Sequence, residues 1–129
     1  MSDIVKAIDH FVLTVRDIDA TCEFYARVVG AKRVDFAGGR VALQIGNQKI
    51  NLHRKGNEFA PHAASPTPGS ADFCFVAAGK IAPIVEHVRH SGVEIILGPT
   101  PKTGAMGPIT SIYFRDPDDN LIEIGSYDG

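Results

Sequence analysis

A 62-residue spacing constrains this chain more than any other feature. Gly92 follows Gly30 by 62 positions, and Asp72 follows His10 by the same interval. The segments DHFVL and ADFCF then align, with Phe11 over Phe73 and Leu13 over Phe75. Near the ends of the two halves KINLH lies over LIEIG, so Asn51 is the counterpart of Glu123. A strand, a helix and a helix-ending glycine that recur in phase mark one unit used twice. The expected fold class is α+β, a strand, a helix and several strands used twice, with equivalent positions meeting in one concave surface. Module one covers about 5–54, a connector about 55–70, and module two about 71–127, within a single domain.

The local signals fill in each module. Residues 5–15 read as a strand, and Asp17 suits the N-cap of a helix running to Gly30. Its apolar stripe is Ile18, Cys22, Tyr25 and Val29. Strands are expected at 31–37, 40–46 and 48–53, separated by Gly38-Gly39 and Gly46-Asn47. The Pro-, Ala- and Ser-rich run EFAPHAASPTPGS cannot form regular structure and serves as the connector. Module two opens with a strand at 71–77. A helix follows with Pro83 in its first turn, Ile81, Ile84, Val85 and Val88 on one face, and Gly92 at its end. Strands near 93–97, 109–115 and 120–127 complete it.

Alternation puts Phe11, Leu13 and Val15 on one strand face and His10, Val12 and Thr14 on the other. Glu123 points opposite to Ile122 and Ile124 in the same way. A pseudo-twofold would bring His10, Asn51, Asp72 and Glu123 to equivalent places, and an imidazole with carboxylates is donor material for a divalent metal. His53 shares the Asn51 face and offers a second imidazole. Asp72 has structural alternatives, as a strand-entry cap or an ion-pair partner of His10.

Bulk properties exclude several classes. With 129 residues and 44% hydrophobic content the chain can bury a core. A formal charge of −2 gives no electrostatic case for nucleic acid or an anionic membrane. No apolar run approaches the roughly 20 residues of a transmembrane helix, and the start MSDIVK lacks a signal-peptide core, so the cytoplasm is the expected compartment. Cys22 and Cys74 read as reduced core thiols.

Two segments carry a resemblance: IDHFVLTVRDIDATCEFYARVVGA at the front and SIYFRDPDDNLIEIGSY at the back. The chain resembles the vicinal oxygen chelate superfamily of glyoxalase I, extradiol dioxygenases, and fosfomycin- and bleomycin-resistance proteins. KINLHRKG, PGSADFCF and TGAMGPITSIYFRDP look most like the glyoxalase domain-containing protein 5 group. The resemblance implies two βαβββ modules forming a curved mixed sheet around a metal cup, whose ligands come from the first and last strands of each module. Position by position these are His10, Asn51, Asp72 and Glu123. Many members have His where this chain has Asp72, and Glu or Gln where it has Asn51. One His with two carboxylates is an oxygen-rich set suited to Mn or Mg, while Zn, Fe or Ni gain from His53 as a further ligand.

The resemblance makes Tyr113 a candidate donor to a substrate oxyanion, with Glu123 and Asp72 as candidate proton carriers. In the turn DPDDN, Asp119 stands where most relatives carry Gly and must take a left-handed conformation. The stretch GPTPKTGAMGP reads as a lid or a plain connecting loop, with Lys102 placed to meet an anion. Arg54 and Lys55 are further cationic candidates, or plain surface charge. His87 and His90 read as surface histidines, and His62 carries no signal. The leading expectation is a metal-dependent glyoxalase-like lyase or isomerase acting on a small substrate with vicinal oxygens, working as a homodimer. The alternatives are an extradiol-type ring-cleaving dioxygenase and a metal-free small-molecule binding protein.

Overall fold

The structure, a computed structural model, describes residues 4–129. The chain divides into two compact units, the first ending at Thr67 and the second beginning at Pro68. The first contains β1 (His10–Val15), α1 (Ile18–Val29), β2 (Lys32–Phe36), β3 (Arg40–Ile45) and β4 (Gln48–Arg54). The second contains β5 (Asp72–Val76), α2 (Ile81–His90), β6 (Leu97–Gly104), β7 (Gly107–Arg115) and β8 (Leu121–Ser126). Each unit holds one four-stranded mixed sheet, in the orders β1-β4-β3-β2 and β5-β8-β7-β6. The pairs β1/β4 and β5/β8 are parallel and the others antiparallel. The repeat is thus literal: β1 and β5 begin at His10 and Asp72, and the strand orders correspond.

Helix α1 starts where its chemistry dictates. Asp17 is extended and its carboxylate accepts the Ala20 amide at 2.9 Å, satisfying a donor that no earlier carbonyl can reach. Gly30 closes the helix at φ 82°, a left-handed position that costs glycine little. Cys22 and Tyr25 of the expected stripe are buried, joined by Thr21, Phe24 and Val28, whereas Ile18 and Val29 are half-buried. This face packs on the sheet side carrying Leu13, Val15, Leu43, Ile50 and Leu52, all nearly inaccessible. Each such apolar side chain contributes about 1.5–3 kcal/mol by leaving water. In the second unit Ile81, Val85 and Val88 of α2 are buried, as are Ile112, Phe114, Ile122 and Ile124 on the strands. Alternation therefore sends Asn51 and His53 of β4, and Tyr113 and Glu123 of β7 and β8, to the opposite faces.

The DPDDN turn is locked from within. Asp116, 4% exposed, accepts the amides of Asp118 and Asn120 at 2.9 Å each and the Asn120 side-chain amide at 2.8 Å. Asn120 Oδ1 in turn accepts the Ala71 amide at 2.9 Å, tying the entry of β5 to β8. Asp119 takes φ 66°, as its position requires.

Four expectations need correction. Residues 5–9 are not strand, because β4 begins at Gln48 and the register His10↔Lys49 leaves them almost no partner. The strand placed at 93–97 lies instead at Leu97–Gly104, so GPTPKTG is neither lid nor loop. It pairs with β7 alone, at the sheet edge, where Pro99 and Pro101 need donate nothing to a second neighbour. The register breaks between Leu97 and Thr100, and there Gly98 has φ 101° against the Ser111 carbonyl, leaving no room for a Cβ. Cys22 and Cys74 are both free thiols, but only Cys22 is in the core; Cys74 is exposed. Among the described residues no helix is long and apolar enough to cross a membrane.

Candidate functional site

In the second unit, two pairings put one row of side chains across three strands. Cys74 is opposite Glu123 in the parallel β5/β8 register, and Tyr113 is opposite Glu123 in the antiparallel β7/β8 register. The Glu123 carboxylate stands beside the Tyr113 hydroxyl and the Cys74 thiol closely enough to raise the pKa of both, while the thiol itself donates to the Phe75 carbonyl at 3.4 Å. Asp72 shares the face two residues before Cys74 and adds negative charge to the surroundings of Tyr113. Lys102 answers from β6, with its Nζ 5.7 Å from the Tyr113 ring centroid. Desolvation, then the Glu123 carboxylate, raise the Tyr113 pKa, so its hydroxyl keeps its proton. Desolvation followed by the Glu123 charge pushes the Cys74 thiol up to about 11. The central carboxylate is therefore flanked by two proton donors, an arrangement that can take up and return a proton.

The face of the first sheet turned away from α1 is built differently. Register places Val12 and Ala42 beside Asn51, and Thr14 beside His53. His10 is exposed, and its Nδ1 lies 2.7 Å from the Asp9 carboxylate. A carboxylate on Nδ1 orients the ring and leaves Nε2 as the free donor atom, as in metal-bound histidines. His53 is 6% exposed, and neither its Nδ1 nor Asn51 Oδ1 has a hydrogen-bond partner among the described residues. Burial, and then the nearby Arg40 charge, hold the His53 pKa below its ordinary value. Phe59, from the connector, meets His53 edge-on at 5.5 Å and carries the Arg40 guanidinium 4.6 Å above its ring. Lys49 reaches across the face to within 4.5 Å of the Phe36 centroid.

Tyr113, Glu123 and Asp72 thus share one face of the second sheet, and His10, Asn51 and His53 one face of the first. Cys74, Arg40 and Phe59 were missed. The repeat offered a signal for Cys74, since it stands two residues past Asp72 on the same strand face. Arg40 follows the Gly38-Gly39 turn and alternates with core residue Val41, which should have marked it as facing away from the helix. Imidazole and carboxylate donors suit a divalent cation in kind. Among the described residues, however, no three His, Cys, Asp or Glu side chains form a metal-holding group.

Comparison with known proteins adds the relationship. A sequence model of the Glyoxalase/Bleomycin resistance protein/Dioxygenase superfamily matches residues 7–124. The glyoxalase domain-containing protein RDO1 of Mycosarcoma maydis is 52% identical over 123 residues, 95% of this chain and 69% of that protein. Virulence protein STM3117 of Salmonella typhimurium is 52% identical over 124 residues, 96% of this chain and 86% of that protein. The structure of a Vibrio cholerae integron cassette protein matches with a TM-score of 0.95 at 50% identity, covering 99% of this chain and 100% of its own. Two more distant structures share the fold alone. Lactoylglutathione lyase from Agrobacterium tumefaciens is 24% identical with a TM-score of 0.73, covering 97% of this chain and 96% of its own. The fosfomycin resistance protein FosX of Listeria monocytogenes, complexed with Mn(II), is 19% identical with a TM-score of 0.64, covering 95% and 90%.

Proposed function

We propose, from the premise that this chain belongs to the glyoxalase/bleomycin resistance protein/dioxygenase superfamily, that it is a metal-dependent glyoxalase-like lyase or isomerase. Its substrate is a small molecule with vicinal oxygens. The observation that carries the reading is the strand register that sets Glu123 between Tyr113 and Cys74 on the sheet face turned away from α2. Glu123 is the residue that takes a proton from carbon beside a carbonyl and returns it to the neighbouring carbon. Tyr113 keeps its proton and donates to the oxygen on which charge develops. Lys102, beside the Tyr113 ring, adds positive charge there.

His10, Glu123 and Asp72 are the residues proposed to hold a divalent cation (Mn, Ni, Zn, Fe or Mg), with His53 as a further candidate. Such a cation, when bound, supplies Lewis-acid stabilisation of negative charge on substrate oxygen. The Asp9–His10 contact supports His10 in this role, because it leaves Nε2 free. Within the superfamily, the resemblance carried by KINLHRKG, PGSADFCF and TGAMGPITSIYFRDP favours the glyoxalase domain-containing protein 5 group. The protein is read as a cytoplasmic homodimer: β1 and β5 lie at the ends of their sheets and expose Val12 and Val76, apolar side chains that a second copy would cover.

The test is hydrogen exchange in D₂O, followed by proton NMR, on hydroxyacetone and dihydroxyacetone with Zn- or Mg-loaded protein. Wild type exchanges the protons beside the carbonyl; Glu123→Gln loses this almost completely, and Tyr113→Phe loses on the order of a hundredfold. Equal exchange in wild type and Glu123→Gln refutes the assignment. One observation favours a second reading, metal-free binding: among the described residues no three His, Cys, Asp or Glu side chains form a metal-holding group. Under that reading His10→Ala leaves ligand affinity unchanged.

A further inference from the structure

We infer that the face of the first sheet turned away from α1 is a subsite for a 2-hydroxycarboxylate, with Arg40 and His53 on its carboxylate and Asn51 on its hydroxyl. The inference deepens the proposed function by naming the substrate class, and it rests on that reading for the choice of ligand face. Two observations carry it. First, His53 is more than nine-tenths buried, yet its Nδ1 has no partner among the described residues, and Asn51 Oδ1 on the same strand face has none either. A buried polar atom left unpaired costs about 1–3 kcal/mol, so two of them side by side point to a ligand that completes them. Second, the cation Arg40 stands on the Phe59 ring that His53 also touches, so the unpaired imidazole lies beside a fixed positive charge. Lys49 adds a second cation on this face.

The chemistry of each atom selects its partner. Beside a guanidinium, an imidazole N–H and a cation together favour an anion. An amide oxygen accepts only from a donor, and a hydroxyl is the simplest one. Glu58 is also near His53 and stays ionised, its carboxylate accepting the Gly56 amide at 3.0 Å, so one anion on this side is set against the two cations Arg40 and Lys49. Asn51 and His53 are two residues apart on one strand, about 7 Å between Cα atoms. A single oxygen midway between parallel side chains would lie about 3.5 Å from each, too long for a good bond. Two oxygens about 3 Å apart, as on adjacent carbons, reach both. His53 is thereby assigned to substrate, leaving His10, Glu123 and Asp72 for a cation.

Calorimetric titration of the full chain with mandelate, methyl mandelate and phenylacetate tests this, on chelator-treated protein and again after Zn²⁺ loading. Mandelate is expected to bind at least about tenfold more tightly than the uncharged ester or the acid lacking the hydroxyl. Arg40→Gln and His53→Phe remove the preference over the ester, and Asn51→Ala removes the preference over phenylacetate. Melting curves establish that each variant is folded, and the wild-type ester comparison decides the matter even if one is not. The inference is overturned if the ester binds as well as the acid, if folded variants bind like wild type, or if wild type binds none of the three. Because the first titration uses metal-free protein, failure of the metal assignment leaves it standing. Conversely, loss of the acid preference sinks it without touching cation binding.

Discussion

Replacing Glu123 with Gln accelerates alkylation of Cys74, although neither residue is altered in its access to solvent. The Cys74 thiol stands at about 11, against an ordinary value near 9.0. At pH 8 that shift cuts the thiolate fraction about a hundredfold, because each pKa unit is a factor of ten. Desolvation is the first cause, and the Glu123 charge adds to it. Removing that charge while keeping the shape lowers the thiol pKa and restores part of the thiolate. A more basic thiolate is also the stronger nucleophile, so wild-type Cys74 is expected to react with iodoacetamide at pH 8 on the order of tenfold more slowly than an exposed cysteine in a peptide. Glu123→Gln reacts faster than wild type, by about two- to fivefold. Cys22, on the buried face of α1, serves as the internal control, and peptide mass spectrometry separates the two sites. Ordinary reactivity of Cys74 in wild type, or no change in Glu123→Gln, would refute the Cys74–Glu123–Tyr113 row from which the proposed chemistry starts.

Other consequences can be measured on the same protein. Asp116→Ala removes the acceptor of three short bonds, and chemical denaturation is expected to show a loss of about 2–4 kcal/mol; a loss below about 1 kcal/mol would mean the turn holds without them. Gly125→Ala drives a methyl against the Ile109 side chain and to 3.0 Å from the buried Ser111 Oγ. It is expected to cost about 1–3 kcal/mol, and unchanged stability would mean this part of β8 is loosely packed. His53 has a folded pKa held below its ordinary value by burial and Arg40, so the unfolded chain takes the proton first as pH falls through about 6.5. Its contribution to stability is present above that pH and is lost as pH falls toward the folded value. In chelator-treated protein, His53→Gln is expected to show a shallower decline in stability between pH 7.5 and 5.5 than wild type; parallel declines would contradict the assignment.

The repeat made the fold legible because it is written in positions that backbone geometry controls. His10 and Asp72 open corresponding strands, Asp17 and Gly30 cap α1, and Asp119 takes its left-handed turn. Alternation likewise told which way Glu123, Asn51 and His53 face. Strand β6 was illegible for a physical reason. Pro and Gly signal a loop in a central strand, yet an edge strand loses little when Pro99 and Pro101 lack a donor. Cys74 was misread because an apolar context resembles a core, while the register that puts it opposite Glu123 comes from pairing with a strand almost fifty residues away. The Arg40–Phe59–His53 contact joins β3, β4 and an irregular connector, and periodicity has no term for such a meeting.

Cation stoichiometry tests the central claim most directly. Purified protein is incubated with Mn²⁺, Ni²⁺, Zn²⁺ or Fe²⁺, desalted and analysed for metal, alongside His10→Ala and Glu123→Ala variants shown to be folded by their melting curves. A metal-dependent enzyme built on these residues predicts stoichiometric retention of at least one of the four cations by wild type and its loss in both variants. Wild type that retains none of them, or variants that retain as much as wild type, would contradict the account.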